Sequence, residues 1–93
     1  MTEQDIYAEA LAKWGFEVQT LMAVEEAAEL QQALLHYMRG KALAVDVVDE
    51  IADMTIMCRQ MANIFGSEDV EKRIQFKLER LEKRLEADNE GLH

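Results

Sequence analysis

Residues 24–30 read VEEAAEL, and residues 50–54 read EIADM. Glu25, Glu26 and Glu29 crowd one short stretch, and Glu50 and Asp53 repeat the i, i+3 step that separates Glu26 from Glu29. On a helix that step puts two side chains on neighbouring turns of one face. Carboxylates held this close repel one another unless they take up protons or enclose a cation. A donor set made only of carboxylate oxygens selects a hard ion, Mg²⁺ or Mn²⁺, whereas zinc prefers His and Cys. The competing reading is a solvated acidic face on a surface helix.

The elements that must carry these acids are helices. The chain has no proline and only four glycines, and Ala, Leu, Met, Glu, Gln, Lys and Arg, all good helix formers, dominate it. Gly15, Gly40 and Gly66 divide it into helical segments expected over 3–14, 17–39, 42–65 and 68–88. Ser67 is expected to cap the last one, with Glu68 and Asp69 complementing its N-terminal dipole, and the tail 88–93 is expected to fray.

If the second and third segments form an antiparallel hairpin about Gly40, residues at one height have numbers adding to a constant. With that constant at 79, Glu29 lies level with Glu50 and Glu26 with Asp53, so four carboxylates converge across the seam. The same register pairs Met22 with Met57 and Val18 with Met61, so the acid seam turns apolar away from the loop. A merely solvated face would stay polar along its length. This pattern favours the cation.

With 93 residues the chain suits one domain, 1–93, whose small core a partner copy is expected to complete. Ile74, Leu78, Leu81 and Leu85 give the last segment a narrow apolar seam that fits such packing. A net charge of −9 argues against a nucleic-acid polymer as partner. No apolar run reaches the length of a membrane span and the N-terminus lacks a secretory pattern, so a cytoplasmic protein is expected. The lone Cys58 reads as a small, buried, inert residue.

Taken together, Glu25-Glu26-Ala27-Ala28-Glu29 and Glu50-Ile51-Ala52-Asp53 resemble the Glu-Glu-x-x-Glu and Glu-x-x-Asp motifs of the MazG-like, all-α nucleoside triphosphate pyrophosphohydrolases. The likeness extends from KWGFEVQTLMAVEEAAELQQAL through DEIADMTIMCRQMANIFG to KLERLEKRL, most of residues 13–85. It implies a four-helix bundle completed by dimer or tetramer formation. It implies Glu26, Glu29, Glu50 and Asp53 as Mg²⁺ ligands, and Glu25 as the carboxylate that orients or deprotonates the attacking water. The implied reaction cleaves a nucleoside triphosphate between its α- and β-phosphates, giving the monophosphate and pyrophosphate. Lys77 and Arg80 occupy the KxxR position that in relatives tends to face phosphate; otherwise they are solvated charges on an amphipathic helix.

Trp14 either stacks on a substrate base or sits in the core. His36 lies on the acid stripe towards the loop, where it contacts substrate or metal-bound water or is a plain surface histidine. Asp46 and Asp49 add negative charge nearby without being expected ligands. Two other functions remain: the acids also fit a non-enzymatic helical module that binds a cation for structure or meets a basic partner, and the resemblance extends to phosphoribosyl-ATP pyrophosphohydrolase, a relative that shares the acid motifs. No motif encodes the base of a nucleotide.

Overall fold

The computed structural model describes residues 1–91, with the side chains described through residue 89. Their only regular structure is helical, without a strand: α1 (Glu3–Met38), α2 (Ala44–Phe65) and α3 (Ser67–Gly91). No helix among them is long and apolar enough to cross a membrane. The chain divides into two compact units, Met1–Met61 and Ala62–His93.

In the first unit, α1 opens with a capping box. The Asp5 amide donates to the Thr2 hydroxyl at 3.1 Å, and the Thr2 amide donates to the Asp5 carboxylate at 3.0 Å, so two amides that lack intrahelical partners are satisfied reciprocally. At Gly15 the helix breaks. Its backbone, φ 84° and ψ 167°, lies in a region essentially reserved for glycine. The helix therefore consists of two segments, in agreement with the expected 3–14 and 17–39.

α1 ends in a Schellman motif. The Lys41 amide donates to the His36 carbonyl at 2.8 Å and the Gly40 amide to the Tyr37 carbonyl at 3.0 Å, with Gly40 at φ 73°. Three residues later α2 begins, and the Asp46 carboxylate accepts from the Leu43 amide at 2.9 Å. A connection this short returns α2 against α1. The buried residues of this unit are Tyr7, Ala33 and Met57, together with two amides, Gln19 and Gln60. The first segment of α1 is tied to α2 through Glu3, whose carboxylate accepts from the Tyr7 hydroxyl and from Arg59 at 2.9 Å.

In the second unit, Ile74, Leu78, Leu81 and Leu85 form the expected seam along α3, and all four are exposed. Two expectations need correction. Ser67 does not cap α3: it is already helical, its hydroxyl donating to Asn63 Oδ1 at 3.0 Å, and Gly66 holds the position before the helix. Cys58 is exposed, because it follows Met57 by a 100° step that carries it off the buried face. Of the tail 88–93, residues 88–91 are helical, and Leu92 and His93 lie outside the described residues.

Candidate metal centre

The turn chemistry at 39–43 and the seam between α1 and α2 bring Glu29 and Glu50, which the register placed level, together with Glu26. One carboxylate oxygen from each of Glu26, Glu29 and Glu50 lies within 4.8 Å of the others. Glu26 and Glu50 are half-buried and Glu29 is exposed. Oε2 of Glu26 and Oε2 of Glu50 are shut off from solvent, and neither accepts a hydrogen bond.

The electrostatics follow from that confinement. Loss of hydration raises the Glu26 carboxyl above its ordinary value of 4.5, and the charges of Glu29 and Asp53, a hydrogen bond with Glu29 and the charge of Glu50 raise it further. Glu50 is raised first by the same desolvation and then by Glu29, Asp53 and Asp49. Like charges in a poorly hydrated seam oppose ionisation.

These donors fit a hard divalent ion. Around Mg²⁺ two oxygens bound at about 2.1 Å stand roughly 3 to 4.2 Å apart, so the spacing needs only small inward adjustments. The two buried, unpartnered oxygens are the acceptors that such an ion satisfies.

The remaining expected residues are distributed unevenly. Asp53 is exposed and stands close enough to raise Glu26 and Glu50, though it is outside the tight triad. Glu25 is exposed, one helical step from the face that carries Glu26. Trp14 is 52% exposed, with the Lys13 ammonium 5.2 Å from its ring centre, so it is not the core residue that one reading made it. Lys77 and Arg80 are exposed on α3, in the second unit.

On the loop side of the triad lies an open cleft of about 570 Å³ lined by Glu29, Gln32, His36, Asp46 and Glu50 among others. Reading the sequence missed Gln32 here, although it sits an i, i+3 step beyond Glu29. It also missed the two buried glutamines, whose numbers, 19 and 60, add to the same 79. No protein-family model, curated protein or solved structure matches this chain.

Proposed function

We propose that the chain is a Mg²⁺-dependent nucleoside triphosphate pyrophosphohydrolase of the MazG-like kind, with Mn²⁺ as a substitute ion. The observation that carries this reading is the Glu26, Glu29 and Glu50 triad, with two buried carboxylate oxygens that have no donor.

Glu26, Glu29 and Glu50 would hold the ion, with Asp53 at the margin. When bound, the ion acidifies a coordinated water and neutralises phosphate charge. Glu25 takes a proton from the water that attacks the α-phosphorus. The new bond from water oxygen to phosphorus replaces the bond to the bridging oxygen, and pyrophosphate departs. Lys77 and Arg80 supply donors to phosphate oxygens.

A second copy of the chain completes the bundle, as a dimer or a pair of dimers. Leu21 and Val24 on α1 and Val48 and Ile51 on α2 are all exposed in the first unit, and the seam of α3 is exposed in the second. So much uncovered apolar surface is unusual for a soluble monomer.

The test is pyrophosphate release from a panel of ribo- and deoxyribonucleoside triphosphates with Mg²⁺, wild type against Glu50→Gln. The variant should lose turnover by about a hundredfold or more. A folded, metal-loaded wild type that releases no pyrophosphate from any of them rejects the reading.

A further inference from the structure

The cleft beside the triad shares Glu29 and Glu50 with it, so a ligand held at the carboxylates extends directly into the cleft. Its lining carries three carboxylates, Glu29, Asp46 and Glu50, and neither lysine nor arginine. A phosphate chain carried into that lining away from the ion would meet only like charge. The neutral end of a nucleotide meets no such opposition. The volume is in the range of small-molecule sites.

The lining also sorts neutral groups by hydrogen-bond type. Carboxylates only accept: Asp46 spends one oxygen on the Leu43 amide at 2.9 Å and keeps the other, and Glu29 and Glu50 add further lone pairs. Gln32 offers an amide that both donates and accepts, and His36 adds an imidazole. An acceptor-rich wall with one amide complements a ligand edge in which a donor stands next to an acceptor. Cytosine and adenine present that edge, as an exocyclic amino group beside a ring nitrogen, and their established partners are carboxylates and Asn or Gln amides. Uracil and hypoxanthine reverse the order, with a carbonyl where the amino group would be and a ring N–H where the bare nitrogen would be, so at the exocyclic position oxygen faces oxygen.

We infer that this cleft receives the nucleobase and selects amino-bearing bases over their keto counterparts, with Gln32 as a specificity-determining residue. The inference rests on the nucleotide-hydrolase reading above. It is tested with two pairs that differ by amino against keto at a single position, CTP with UTP and ATP with ITP. The readout is kcat/KM for the wild type and for Gln32→Leu.

The amino member of each pair should be preferred by about tenfold or more. In Gln32→Leu the preference should fall below about threefold, with the loss on the amino substrates rather than on their keto partners. Gln32 is exposed, so this variant keeps the fold. Turnover of all four nucleotides without discrimination overturns the base assignment and leaves the hydrolase reading standing. An unchanged preference in Gln32→Leu removes Gln32 from it. No turnover of any of the four, nor of any other nucleotide in the panel above, removes both readings.

Discussion

Glu29 on α1 and Glu50 on α2 approach within 4.8 Å across a five-residue connection, Arg39 to Leu43, and share both the triad and the cleft beside it. The pairing is costly while no cation is present. Its cost is what makes the site measurable.

Glu26 and Glu50 are raised above 4.5, so the folded chain keeps protons that the unfolded chain has already released. Stability of the metal-free protein should therefore be unaffected by these groups below about pH 4.5 and decline as pH climbs through their raised values. Glu3 and Asp5 are lowered, Glu3 first by its hydrogen bond from Tyr7 and Asp5 first by the Thr2 amide, and they act in the opposite sense. Their contribution is lost only as pH falls below ordinary carboxyl values, so the two effects separate. Thermal melts in chelator from about pH 5 to about pH 7.5 check this. Addition of Mn²⁺ at the upper end should reverse the decline, and Glu26→Gln should flatten it.

The acids and their register were legible because both depend on short-range geometry. The i, i+3 step fixes the face, and a tight turn at Gly40 fixes which residues lie level. Asp53 shows the limit of that reasoning, since the register places it beside Glu26 without saying how far its side chain reaches. Trp14 and Cys58 were harder for another reason. Their exposure depends on which surface covers each helix face, and neighbouring residues do not encode that.

Gly15 occupies a backbone region that L-residues enter only under strain, and a Cβ there would touch nothing within 4 Å. The cost of Gly15→Ala is therefore purely conformational. It should destabilise the protein by about 1 to 3 kcal/mol, measured by urea unfolding. A neutral result would mean that α1 can run through this point without a break.

Arg59 reaches from α2 to Glu3 at 2.9 Å and so ties the first segment of α1 to the hairpin. Both side chains are more than half exposed or nearly so, and an exposed pair contributes little global stability. Arg59→Ala should accordingly leave the melting temperature almost unchanged. Hydrogen exchange should quicken over residues 3–14 and stay unchanged along α2. A uniform increase along the chain would show that the pair supports the whole unit. This contact joins residues far apart in sequence, and no local pattern announces it.

Gln60 is only 3% exposed, yet its side-chain nitrogen has no acceptor among the described residues, and the side-chain nitrogen of Gln19 donates to the sulfur of Met22 at 3.8 Å. A buried donor without an acceptor costs about 1 to 3 kcal/mol. Gln60→Leu keeps roughly the same volume and removes that donor, so it should raise stability by about 1 kcal/mol. Denaturant midpoints at constant slope would measure the gain. A loss instead would show that the amide has a partner in solution.

The Schellman turn at Arg39–Lys41 also bears on how the chain folds. Because the three acids of the triad come from one hairpin closed by a tight loop, the entropy of bringing them together is small and their encounter is local along the chain. Nascent α1 and α2 therefore meet their mutual repulsion at the first pairing step, before longer-range contacts such as Arg59 with Glu3 can offset it. A divalent ion that bridged the carboxylates would then lower the barrier to folding as well as stabilise the finished protein. Refolding should accelerate with ion concentration, and unfolding should slow.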